Sequence, residues 1–141
     1  MGNGDKQLVW VGDSLEKLKE FPEEVKDSIG FALRYAQSGE MHPDAKPLNK
    51  GKLKGKGIYE IVEPYDGDTY RAVYTVILEG RIYALHSFKK KSNKGKETPK
   101  PDLDLIESRY KKAKEIHGEL EANNSNFIIR YLKKYLGKVR Q

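Results

Sequence analysis

Hydrophobic positions along the chain change period twice. From residue 14 to 36 they recur at helical spacing. Leu15, Leu18 and Phe21 mark one short helix, with Asp13 or Ser14 placed to cap it. Pro22 opens a second helix, with Glu23 and Glu24 in its first turn, where the helix dipole favours acids. Val25, Ile29, Leu33 and Ala36 form its buried stripe, and Ser38-Gly39 stops it. Residues 42–57, broken by Pro43, Pro47 and several glycines, read as a loop. Ahead of the helices, Leu8-Val9-Trp10-Val11 is an apolar run short enough for an edge strand or a core plug.

The period then shortens to two. Ile58–Glu63, Thr69–Leu78 and Arg81–Phe88 are rich in β-branched and aromatic residues. Asp66-Gly67 and Glu79-Gly80 separate them, and Asp-Gly tolerates the positive φ of a tight hairpin turn. Three strands in succession with tight turns predict an antiparallel meander. After a basic loop over 89–100, Pro99, Pro101 and Asp102 signal a helix start. Leu103, Ile106, Tyr110 and Ala113 give that helix its stripe, with His117 near its end as a cation favoured by the dipole. Asn123-Asn124-Ser125-Asn126 is expected to break it. Ile128, Tyr131, Leu132, Tyr135 and Leu136 then fit a short final amphipathic helix with a basic face. Helices, a meander and further helices make an α+β domain.

Composition narrows the chemistry. A chain of 141 residues fits one domain with its own core. It has no cysteine, hence no disulfide, thiolate metal site or Cys nucleophile. No apolar run is long enough to span a membrane, and the opening residues carry no signal-peptide core. A soluble cytoplasmic protein is the expectation. The three histidines, His42, His86 and His117, lie in different elements without ligand spacing, so neither a metal nor another cofactor is expected.

Charge adds a direction. The net +6 comes from 27 basic and 21 acidic residues. Windows 46–56, 89–100 and 127–141 together hold +15, which leaves −9 for the rest. Such segregation suggests a basic face for a polyanion, although lysine-rich loops are also often only solvated surface. Lys52, Lys54 and Lys56 alternate with glycines in a flexible loop that lacks the form of a P-loop but suits phosphate contacts.

Arg71 is the most informative single residue. It sits mid-strand, and a charge there must be paired or wet. One reading is a salt bridge to Glu60 or Glu63; the other is an arginine on an open sheet face that holds a phosphate in a fork. The next strand brings His86, Phe88, Lys89, Lys90 and Lys91 to the rim, with Lys94 beyond. Fixed positive charge suits phosphoryl transfer, and Tyr70 and Phe88 can stack on bases. Candidates for moving protons are His86, a desolvated lysine, Asp66 and Tyr65.

Several of these stretches belong to one pattern. Trp10-Val11-Gly12-Asp13-Ser14-Leu15, Phe21–Val25, His42–Leu48, Gly67–Thr75 and Leu85–Ser92 with Thr98-Pro99 follow in order over about residues 8–117. The sequence resembles the phage-derived, HigB-like group of RelE/ParE toxins. That resemblance implies a RelE-like α+β domain over 1–117 and a basic amphipathic extension over 118–141. It implies a type II toxin that cleaves mRNA in the ribosome without a metal, the ribose 2′-hydroxyl attacking its own phosphate. Arg71 matches the strand arginine that stabilises the transition state, and Lys89 and Lys90 fall where relatives place basic residues after the last strand. The catalytic His or Tyr that often follows that strand has no clear equivalent here, so His86 stands as a catalytic candidate from its own position on the strand. Lys52, Lys54, Lys56, Tyr70, Phe88, Lys91 and Lys94 would then hold RNA. The implied partners are the ribosome, mRNA and a cognate antitoxin, typically a small helix-turn-helix protein. A ParE-like gyrase poison and a non-catalytic RNA- or DNA-binding relative are the alternatives, and fold alone does not separate them.

Overall fold

The computed structural model describes residues 5–91 and 97–135. Five strands form one sheet, flanked by helices on both faces. The strands are β1 (Gln7–Trp10), β2 (Ala45–Pro47), β3 (Ile58–Tyr65), β4 (Asp68–Thr75) and β5 (Arg81–Lys91). The helices are α1 (Ser14–Lys19), α2 (Glu23–Gln37) and α3 (Lys100–Tyr135). The sheet order is β1-β5-β4-β3-β2, with β1 parallel to β5 and the other pairs antiparallel.

The meander forms as its residues dictate. Tyr65 pairs with Asp68, and the two residues between them, Asp66 and Gly67, have φ of 49° and 84°. Positive φ at both central positions is the geometry that twists two strands into a hairpin, and Asp-Gly is the pair that tolerates it. Alternation along β4 sends Tyr70, Ala72 and Tyr74 to one face, under Val25, Ile29, Leu33 and Ala36 of α2. Val73 goes to the other face with Tyr83 and Leu85 of β5, under Ile106, Tyr110 and Ala113 of α3. The sheet is thus buried on both sides by two amphipathic helices.

Four expectations change. The segment read as a loop over 42–57 contributes strand β2, which pairs Ala45 with Ile61, and a 3₁₀ turn over Gly51–Leu53. Its Leu48 and Leu53 are buried in the α3-side core, and that burial fixes the segment despite its prolines and glycines. The basic stretch from Lys89 begins as strand, because β5 pairs with β4 as far as Lys91 opposite Asp68. Asp13 and Ser14 precede and open α1 but make no side-chain cap: the Ser14 hydroxyl donates to the Ala84 carbonyl at 3.1 Å, and the Asp13 carboxylate is taken by Arg109.

The fourth change is the largest. α3 does not break at Asn123–Asn126 but runs unbroken for 36 residues. Asparagine costs a helix only about 0.5–0.7 kcal/mol relative to alanine, and no Gly or Pro stands among the four. His117 is therefore mid-helix, where its Nδ1 lies 2.8 Å from the Tyr83 hydroxyl. The helix runs antiparallel to β5, as Asp102 meets His86, Arg109 meets Leu85, His117 meets Tyr83 and Glu121 meets Arg81. Beyond Glu121 it leaves the sheet behind. Among the described residues, no helix is long and apolar enough to cross a membrane.

Candidate active site

β1 accompanies β5 only from Arg81 to Ala84. From His86 onward, β5 has a neighbour on its β4 side and, among the described residues, no strand on the other. The register slips at this point, since Val73 pairs with His86 but Tyr74 pairs with Ala84. Such a bulge turns the strand and re-aims the side chains that follow. Between the freed edge and α1 lies a cleft of about 310 Å³. His86, Ser87, Phe88 and Lys89 line it from β5, Tyr70 from β4, and Lys17, Glu20 and Phe21 from α1 and its end.

His86 is 6% exposed. Its Nε2 lies 2.7 Å from Oδ1 of Asp102 in the first turn of α3, and its ring stacks on Phe88 with centroids 4.7 Å apart. Burial pushes the His86 pKa down; Asp102, the next largest influence, pulls it back up, as does Asp13, while Arg109 adds to the lowering. The imidazole is therefore neutral at pH 7. With Nε2–H given to the carboxylate, Nδ1 is the acceptor, and it is buried with no hydrogen-bond partner. A neutral histidine oriented by a carboxylate, with one lone pair uncommitted beside a cleft, has the form of a general base.

The frame around this pair is fixed. Arg109 of α3 donates to the Leu85 carbonyl at 3.1 Å and to Asp13 at 2.5 Å. The Arg109 hydrogen bond holds the Asp13 carboxyl below its ordinary pKa. Gly12, at φ +59°, lets the guanidinium pass: a Cβ there would stand 2.6 Å from its Nε. These contacts join the end of β1, the bulge in β5 and the start of α3.

Arg71 lies elsewhere. The expectation that it projects onto an open sheet face is corrected, because α3 and its lead-in cover that face. Arg71 is 5% exposed, its Nη1 is 2.9 Å from Oε1 of Glu60, and the Thr98 hydroxyl is 3.5 Å from Glu60 Oε2. The salt-bridge reading is the one the geometry shows. Arg71 sits opposite Phe88 in the β4–β5 register and does not line the cleft.

The structure brings together His86, Tyr70, Phe88 and Lys89 of the residues singled out from sequence. Lys89 is half exposed, with Asp68 at 3.8 Å. Lys90 donates to the Glu97 carbonyl. Lys52 lines a separate groove with Lys50 and Lys100, Lys54 is exposed beside it, and Lys56 lies over the Tyr110 ring at 5.5 Å. Lys91 ends β5, and Lys94 falls outside the described residues. Sequence reasoning missed Asp102, Arg109, Asp13 and Lys17. Asp102 stood out only as a helix-start acid, and a histidine ending a strand before such an acid is the signal that could have joined them. Among the described residues, no group of three or more His, Cys, Asp or Glu is placed to hold a metal ion.

Comparison with known proteins gives the chain a family. The family described as Phage derived protein Gp49-like (DUF891) matches residues 16–111, from α1 to just past Arg109. Among solved structures, the isolated RelE toxin of E. coli is similar at 17% identity and a TM-score of 0.45, over 73% of this chain and 97% of that one. A chain of the RelBE2 toxin–antitoxin complex from Mycobacterium tuberculosis is similar at 15% identity and a TM-score of 0.41, over 59% of this chain and 95% of that one. No curated protein matches the sequence. With the match spanning well over half of its length, the chain belongs to the Gp49-like family of phage-derived proteins.

Proposed function

We propose that this chain is a RelE-type toxin, an endoribonuclease that cuts messenger RNA engaged on the ribosome, and that the cleft beside β5 is where the strand is cut. The observation that carries the reading is His86, buried, oriented by Asp102 and with Nδ1 unpartnered, in the wall of a cleft that also holds two lysines and three aromatic rings. The ribose 2′-hydroxyl gives its proton to Nδ1 and attacks the adjacent phosphorus. The bond to the 5′-oxygen breaks, and that oxygen takes a proton from solvent at the open cleft, leaving a cyclic phosphate and a 5′-hydroxyl. Lys17 and Lys89 face the charge that develops on the phosphate. Tyr70 and Phe88 supply stacking surface for splayed bases. Nδ1 is buried in the free protein, so its role as proton acceptor requires a local opening at His86 when RNA enters the cleft. Arg71 supports the site from below by tying β4 to β3 through Glu60. The cognate antitoxin, in this reading, neutralises the toxin by covering the cleft.

The test adds the purified chain to a translation extract and maps message ends. Cleavage of ribosome-bound message is expected. His86→Gln should lower it about 10²–10⁴-fold, the usual contribution of a positioned base. Asp102→Asn removes a carboxylate that raises the His86 pKa, so the rising limb of the pH profile should move to lower pH. Intact messages in the presence of folded chain would sink the reading.

A further inference from the structure

We infer that the free end of α3 is a self-association surface, on which a second copy of this chain lies antiparallel. The helix keeps one stripe along its length. Ile106, Tyr110 and Ala113 bury it against the sheet. Leu120, Asn124, Phe127, Tyr131 and Tyr135 continue it at spacings of four and three after the sheet has ended at the Arg81–Glu121 contact. Phe127, Ile128, Ile129, Tyr131 and Tyr135 are each between 47% and 66% exposed. Among the described residues, no other stretch exposes large apolar side chains so densely, and an isolated stretch of helix this short is marginal in water.

Charge selects the occupant. Residues 118–126 carry two acids, Glu119 and Glu121, and no base, whereas 127–135 carry Arg130, Lys133 and Lys134 and no acid. A parallel copy would set the basic halves side by side. An antiparallel copy, with its two-fold axis between residues 127 and 128, sets each acidic half against a basic one and closes the contact on itself. Phe127 then meets Ile128 at the axis, and Leu120 meets Tyr135 at the ends. Asn124, the one polar residue on the stripe, faces Tyr131, a place where a single polar group fixes register. A nucleic-acid partner would use the lysines and stack on the rings, but would leave Ile128 and Ile129 uncovered and set Glu119 and Glu121 against phosphates. The overlap is 16 residues, about 24 Å of helix, so the pair is expected to dissociate on dilution.

Sedimentation of the full chain from about 1 µM to about 1 mM should show a monomer–dimer equilibrium, and Phe127→Asp with Tyr131→Asp should weaken it at least about a hundredfold. Because the chain has no cysteine, orientation can be mapped with single ones. Ile128→Cys should cross-link to its own copy on mild oxidation. Leu120→Cys and Tyr135→Cys should each fail alone and cross-link when mixed. A wild-type chain that stays monomeric throughout that range overturns the inference, whether or not it binds RNA or lipid vesicles. Self-cross-linking of Leu120→Cys or Tyr135→Cys as fast as Ile128→Cys overturns the antiparallel pair.

Discussion

Glu60 and Glu63 stand three residues apart on β3 and point to opposite faces of the sheet. On the α3 face, Glu60 is buried against a cation, Arg71, at 2.9 Å. On the α2 face, Glu63 is partly buried beside another acid, Asp44, and its pKa is pushed up to about 7, first by burial and then by the Asp44 hydrogen bond and charge. Its Oε2 has no hydrogen-bond partner. The same residue type on one strand thus meets a cation on one side and a second acid on the other. Burial raises a carboxyl in either setting; an acid buried with it adds to the rise, and a cation opposes it.

The comparison breaks most visibly at Arg71. Arg71→Ala leaves the Glu60 carboxylate in the core without its cation, and losing one partner of a buried pair costs about 3–5 kcal/mol. Urea unfolding should show that loss. Replacing both partners with apolar residues, Arg71→Met with Glu60→Leu, should recover most of it, because no charge is then buried. The double variant also separates roles. If it folds and still cleaves RNA, Arg71 acts only through the sheet; if it folds and is inactive, the arginine reaches the phosphate itself.

A smaller effect tests the other face. In the folded chain Glu63 keeps its proton up to about pH 7, whereas unfolded it releases the proton near 4.5. Between those values the native state binds more protons, so stability falls as pH rises through the window and is level above it. The drop is expected to be on the order of 1–2 kcal/mol once the partial access of water is allowed for. Glu63→Gln keeps the shape and removes the titration. Its urea midpoint should stay flat between pH 5 and 7 relative to the wild-type slope. A wild-type slope of the opposite sign would show that Glu63 is ionised and that a cation reaches it.

These contrasts also show what could be read from the chain. The Asp66-Gly67 turn and the α2 stripe were legible because both are local: a backbone angle and a period of 3.6. The partners of charged residues were not. Arg71 offered two readings, and only the position of α3, set by Ile106, Tyr110 and Ala113, decides between them. His86 was visible as a strand histidine near lysines, but its orienting acid stands 16 residues away, across a segment with no pattern of its own. The Asn run misled for the opposite reason, since a weak local preference was weighed as a break while the flanking stripe already ran through it.

The smallest expected effect lies on the surface. Lys50 and Glu97 meet at 3.1 Å with side chains 47% and 82% exposed. The distance is close to that of the Arg71–Glu60 pair, yet water screens both ends and two long side chains must be held. Lys50→Ala should therefore shift the urea midpoint by no more than about 0.5 kcal/mol, a small fraction of the Arg71→Ala loss. Lys50 also belongs to the basic 46–56 window. If that window touches RNA phosphates, the same variant should lower the salt dependence of RNA binding by about one counterion while stability stays put. An unchanged slope would leave the window as solvated surface and confine RNA contact to the cleft beside β5.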